Sequence, residues 1–180
     1  MNTDDPELLG RALEGEEDAF TALYRRRQGG VYRFALQMTG SVEVAEDVTQ
    51  ETFLALILHG SRYDAARGTV SSFLYGIARN FVLRRLDGWR EAELEEFAGH
   101  DDLLEDLTRR ESIEQVRSAV LSLPPAYREV VVLCDLQDAS YEEAAAVIAC
   151  PVGTVRSRLS RGRSMLARKL GRVAVCGSVE

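Results

Sequence analysis

Lysine occurs once in the 180 residues, at Lys169, so arginine supplies nearly all the positive charge, a bias that reads as the codon usage of a GC-rich genome. Histidine occurs twice, at His59 and His100, far from each other and from Cys134, Cys150 and Cys176. No C-x-x-C or H-x-x-x-H spacing exists to hold a metal, and no cofactor is expected. Three widely spaced cysteines argue against a disulfide framework and for reduced thiols in a cytoplasmic chain, with Cys134 and Cys150 read as small buried hydrophobes in preference to a redox pair. No apolar run approaches the ~18 residues of a membrane span. The acidic start MNTDDPELLG lacks the basic-then-apolar order of a secretory signal, so no membrane insertion is expected. Strand-like alternation of apolar and β-branched residues is also missing. The paired acids Glu95-Glu96 and Asp101-Asp102 sit in a run without histidine or a Gly-rich loop, and no nucleophile lies in a candidate core, so an enzyme is not expected. The last absence is the most informative. Between Ala144 and Val179 there is no Asp or Glu, while seven Arg or Lys give +7 in a protein of net charge −7, leaving −14 on the remainder.

What is present is helical. Ala, Leu, Glu and Arg dominate, and apolar residues recur at spacings of three and four. The pattern predicts an all-α fold of two small helical domains, 1–88 and 111–172, joined by an acidic linker, 89–110, and followed by a tail, 173–180. From Asp87 to Glu111 ten acids face three arginines, a composition too polar to bury much surface. In the first domain, helices are expected at about 16–39, 42–59 and 69–87. Val44, Ala45, Val48, Thr52, Leu56 and Leu58 are expected to face the core from the second, and Val70, Phe73, Leu74, Ile77 and Phe81 from the third.

In the second domain, a helix over about 109–122 precedes one opened by Pro124-Pro125 and running to about Asp135. Ser140, with Glu143 three residues on, forms a capping box that opens a third helix ending near Ile148. Pro151 begins the fourth, which continues to about Leu170. On a wheel of 100° per residue, Val155, Leu159, Gly162, Leu166 and Leu170 make one apolar stripe. Ser157, Ser160, Arg161 and Ser164 lie opposite, with Arg156, Arg158 and Arg163 on the flanks and Thr154 near the N-terminus. A small polar crest with arginine shoulders suits a DNA major groove, where Ser and Arg reach base edges and flanking arginines reach phosphates. The two helices and the tight IACPV turn make a helix-turn-helix that enters the groove by the N-terminus of its second helix. The bland alternative is a solvated cationic face; the complete absence of acids and the strong cap favour nucleic acid.

The wording is more specific than the pattern. SYEEAAAVIACPVGTVRSRLSRGRSML resembles the promoter −35 reading helix-turn-helix of the extracytoplasmic-function (ECF) branch of the bacterial sigma-70 family, and LSLPPAYREVVVL resembles the helix before it. MTGSVEVAEDVTQETFLAL is similar to the family's segment that docks on core RNA polymerase, and RYDAARGTVSSFLYGIARNFVLRRL to its promoter −10 segment. The resemblance covers about 16–88 and 109–170. It implies a dissociable initiation subunit that binds core RNA polymerase, recognises −35 and −10 elements in promoter DNA, melts the promoter and is held inactive by an anti-sigma factor. Asp47, Gln50, Glu51 and Phe53 are then implied as polymerase contacts, with Phe53 an aromatic anchor on an acidic and amide face. Tyr63, Arg79, Asn80 and Arg84 are implied as −10 contacts, an aromatic to stack a base, an amide for its edge and arginines for phosphates. Thr154, Arg156, Ser157, Arg158, Ser160, Arg161 and Arg163 are implied as −35 contacts.

Two positions depart from the family. Ala149 stands where the turn usually has Gly, at a cost of about 1 kcal/mol, and Phe73 stands where Trp is usual. A conventional regulator with the same helix-turn-helix would bind a palindrome as a dimer without polymerase; the match of the first domain argues against it.

Overall fold

The computed structural model describes the backbone of residues 4–92 and 107–176 and the side chains of residues 4–87 and 113–171. The described residues form eight α-helices and no strand. The first helix, α1 (Asp5–Leu13), was not anticipated. Asp4 caps it, and its carboxylate accepts from the Asp5 amide at 2.8 Å. Asp5 is buried because Arg26 (2.7 Å) and Arg27 on the next helix neutralise it.

Helices α2 (Glu17–Thr39), α3 (Val42–His59) and α4 (Val70–Ala92) complete the first unit around Leu23, Phe34, Met38, Val48, Leu56 and Leu74. Ser41 caps α3 by accepting from the Val44 amide at 3.2 Å. Ala45, Val48, Thr52 and Leu56 face the core as expected, and Val44 is half-buried. Leu58 does not: it is 73% exposed. In α4 the fully buried stripe is Val70, Leu74, Ala78 and Val82, while Phe73, Ile77 and Phe81 are half-buried on its flank. The smaller side chains take the closest helix contact, and the bulky ones lie beside it.

The second unit consists of α5 (Leu107–Leu121), α6 (Pro125–Val131), α7 (Tyr141–Ile148) and α8 (Val152–Cys176). Helix α6 passes without a break into a π-helical turn over Val132–Leu136. Gly162 lets α8 approach α6 closely, since a Cβ there would lie 2.8 Å from Val131 Cγ2. The central part of the expected linker, 93–106, and the end of the tail, 177–180, lie outside the described residues.

The buried core continues from one unit into the other. Helix α7 lies on α4, and α5 and the π turn lie on α2. Helix α2 ends at Gly40, whose left-handed backbone (φ 74°) also brings it against Leu121 of α5; a Cβ would sit 2.9 Å from Leu121 Cδ1. No basic residue lies in the last turn of α2. Arg128 of α6 supplies that charge, donating to Met38 O at 2.6 Å, to Leu123 O at 3.1 Å and to Leu121 O. Gln137 donates to Gln37 (2.9 Å) and accepts from the Tyr75 hydroxyl (3.3 Å).

Ala149 closes α7 in the left-handed conformation, φ 57° and ψ 48°, as its place in the turn requires. Gly there relieves the Cβ clash but adds entropy to the unfolded chain. Ala149→Gly is therefore expected to stabilise the protein by about 0.5–1 kcal/mol, read as a rise in the urea midpoint with unchanged slope.

Candidate nucleic-acid interface

Helix α7 is fixed at both ends, by a capping box at its start and by left-handed Ala149 at its close. Ser140 Oγ accepts from the Glu143 amide (3.1 Å) and Glu143 Oε2 accepts from the Ser140 amide (2.9 Å). Glu143 Oε1 also accepts from the Thr69 hydroxyl of the first unit at 2.8 Å. Burial works against this carboxylate, yet the hydrogen bonds from Ser140 and Thr69 outweigh it and hold it below the ordinary Glu value.

Along α8 the burial follows the wheel. Val155, Leu159 and Gly162 are buried, and Leu166 and Leu170 half-buried. Ser157, Ser160, Arg161 and Ser164 are exposed opposite them. Ser157 and Ser164 currently donate to the backbone oxygens of Thr154 (3.0 Å) and Ser160 (2.9 Å), bonds that a base or phosphate can replace. Thr154 is half-buried. The arginines divide into three states. Arg161 is exposed with no ion pair among the described residues. Arg156 lies over the Tyr141 ring at 5.7 Å. Arg158 and Arg163 are already engaged, Arg158 with Glu129 at 3.5 Å and Arg163 with Asp135 at 2.6 and 3.1 Å. The hydrogen bond to Asp135 raises the Arg163 pKa further.

The expected −10 residues gather around α4. The Tyr63 ring packs against Phe73 at 5.7 Å, and burial pushes its phenol above the ordinary value. Tyr63, Phe73, Arg79 and Asn80 line one side of a cleft of about 390 Å³. The opposite wall is Ala146, Val147 and Ala149 of the second unit. Asn80 is exposed, whereas Arg79 donates to Glu129 at 2.8 Å. Arg84 is exposed and lies 4.9 Å over the Phe81 ring. The free thiols Cys134 and Cys150 are half-buried, and burial, with Asp135 alongside, raises Cys134 away from the reactive thiolate.

Two family models match in chain order, Sigma-70 region 2 over residues 23–91 and Sigma-70, region 4 over residues 113–166. The chain is 35% identical over 172 residues to the ECF RNA polymerase sigma factor SigM of Mycobacterium tuberculosis (strain ATCC 25618 / H37Rv), covering 93% of this chain and 85% of that protein. The chain belongs to the ECF sigma factors of the sigma-70 family. It is also 29% identical to SigW of Bacillus subtilis (strain 168), covering 90% of this chain and 94% of SigW. With SigE of Mycolicibacterium smegmatis it shares 36% identity over 80% of its own length but only 58% of that relative's. Among solved structures it resembles CnrH in complex with the cytosolic domain of CnrY, with a TM-score of 0.73 and 27% identity over 92% of this chain and 96% of that one. The fold is shared too with the sigma factor RpoE bound to the anti-sigma factor NepR from Bartonella quintana, TM-score 0.72 at 24% identity, over 84% of this chain and 96% of that one.

In this sigma factor α3, the region 2 helix expected to dock on core polymerase, differs from expectation at its aromatic residue. Phe53 is 3% exposed, packed edge-on against Tyr24 (4.8 Å) and Phe20 (6.4 Å). It is a core residue and offers no anchor at the surface. Asp47 and Gln50 are exposed, and Glu51 is held by Arg85 through two bonds of 2.9 and 3.1 Å. The apolar side chains that α3 does present are Leu54 (60% exposed), Ile57 (53%) and Leu58 (73%). Their spacing of three and four places them on one stripe. They continue the line of Asp47 and Gln50 towards the end of the helix. The available signal was the run FLALIL, which is apolar on every side and so must leave some of it outside.

Proposed function

We propose that this ECF sigma factor is a dissociable initiation subunit that binds core RNA polymerase through α3, reads the −35 element with α8 and melts and holds the −10 element with α4 and the loop before it. The observation that carries the reading is the crest of α8. Arg161 has no ion pair among the described residues, with Ser157, Ser160 and Arg156 exposed beside it, on a helix whose other side packs on the core through Val155, Leu159 and Gly162. The family membership of both units supports it. Thr154 and Arg156 approach the groove first, Ser157, Ser160 and Arg161 face base edges, and Arg158 and Arg163 reach phosphates once released from their carboxylates. Asn80 meets a base edge and Tyr63 a base face, with Arg79 and Arg84 along the backbone. The domain limits 1–88 and 111–172, and a linker over 89–110, belong to the same proposal.

Helix α3 meets the polymerase with the acidic and amide residues Asp47 and Gln50 at one end and Leu54, Ile57 and Leu58 at the other. That pairing suits a partner with basic side chains flanking an apolar surface. The bond-forming chemistry stays with the polymerase, and no catalytic residue is assigned to this chain. The proposed site of action is the cytoplasm, and an anti-sigma factor is the proposed regulator; the two solved relatives described above are bound by such partners or by the cytosolic domain of another chain. No helix among the described residues is long and apolar enough to cross a membrane. Gel filtration with core polymerase free of other initiation factors tests the reading. Co-elution of the full chain at one copy per polymerase is the expected result. A dimer that binds palindromic DNA and ignores the polymerase would favour a conventional regulator instead.

A further inference from the structure

We propose that Glu129 is an internal competitor for DNA phosphates, which holds one arginine from each promoter-reading unit and keeps the free chain closed. The inference rests on the reading of α4 and α8 as promoter-contacting helices. Glu129 lies on α6 and is only 4% exposed. Its two oxygens are used separately: Oε2 accepts from Arg79 Nε of α4 at 2.8 Å, and Oε1 faces Arg158 Nη1 of α8 at 3.5 Å. One carboxylate therefore ties together three helices, and two of the residues it ties are arginines proposed for DNA. Carboxylate and phosphate oxygens compete for the same guanidinium donors, so the donors that Arg79 Nε and Arg158 Nη1 turn to Glu129 are withheld from DNA while the clasp is closed.

The rest of the seam points the same way. Gln137 joins Gln37 and Tyr75, Thr69 joins Glu143, and Arg128 caps α2. With these contacts made, α7 forms the wall opposite Tyr63 and Asn80 and narrows the cleft through which α4 would meet a DNA strand, although Asn80 itself stays exposed. The closed form thus restricts the α4 face and occupies Arg158 on the flank of α8, while the crest of α8 stays exposed. Opening frees Arg79 and Arg158 together and exposes the cleft, so promoter engagement by either unit favours engagement by the other.

Removing the Glu129 charge acts selectively on the closed form. There Arg79, with a side chain 19% exposed, loses its counter-charge in a desolvated seam, while in the open form both arginines are hydrated. Apparent DNA affinity scales with the fraction of open molecules. The test uses the full-length chain free in solution. For Glu129→Gln the expected results are a larger radius of gyration by small-angle X-ray scattering and about tenfold tighter binding of a mixed-sequence DNA duplex. Gln137→Ala changes no charge and touches none of the proposed DNA contacts. It should move both readings in the same direction by a smaller factor, which separates opening from a simple gain of positive charge. Folded variants, judged by unchanged helicity, that keep the wild-type radius would overturn the proposal. So would an opened Glu129→Gln protein with wild-type DNA affinity. Initiation is measured separately with core polymerase: opening with tighter DNA binding but no transcription supports the clasp and removes the initiation-factor reading.

Discussion

Leu58→Asp is expected to weaken binding of core RNA polymerase by about 100-fold while leaving the fold intact. The side chain is 73% exposed, so its loss costs the free protein little. In a complex it would lie at the end of the stripe begun by Leu54 and Ile57. An apolar anchor at the centre of an interface is worth ~2 kcal/mol or more, and an unpaired carboxylate put in its place adds a desolvation penalty. Titration of labelled core polymerase measures the effect, with helicity and the urea midpoint as controls. Unchanged affinity would mean that the apolar end of α3 is not the docking face. Phe53→Asp cannot make this test, because Phe53 is packed between Phe20 and Tyr24 and its replacement would damage the unit itself.

Arg161→Ala is expected to reduce discrimination at one −35 base pair by about 1–3 kcal/mol. Arg161 is chosen on its surroundings. Arg158 and Arg163 are bound to carboxylates and Arg156 lies over a ring, so substituting any of them also changes the free protein. Binding of the variant holoenzyme to promoters carrying each base at the −35 positions provides the measurement. Loss confined to one base pair identifies a base contact; an equal loss on every sequence identifies a phosphate contact and a smaller role in specificity.

The recognition helix was legible in the sequence because it is one-sided. Its apolar residues occupy a single stripe, so periodicity alone separates Val155 and Leu159 from Arg161 and Ser160. The capping box was legible for a similar reason, being a local requirement of the backbone, whereas the left-handed turn at Ala149 was legible only through the family resemblance, which usually places Gly there. Helix α3 was not. Its second half is apolar all round, and periodicity cannot say which of Phe53, Leu54, Ile57 and Leu58 turns inward; the aromatic side chains of α2 decide it for Phe53. Helix α1 was overlooked because the acidic opening masked its cap, Asp4, and because burial of Asp5 depends on arginines more than twenty residues away. The seam between the units left no pattern at all. Arg79 and Glu129 are 50 residues apart and Gln37 and Gln137 are 100 apart, and polar pairs so distant have no periodicity to reveal them.

Run-off transcription decides whether the chain directs promoter-specific initiation, with the full chain, core RNA polymerase stripped of other initiation factors, and a fragment library of the genome that encodes it. Discrete starts that require the protein are expected, with shared −35 and −10 elements upstream, and loss of those starts with Leu58→Asp. An absence of protein-dependent starts, from a folded chain and an active polymerase, would contradict that function.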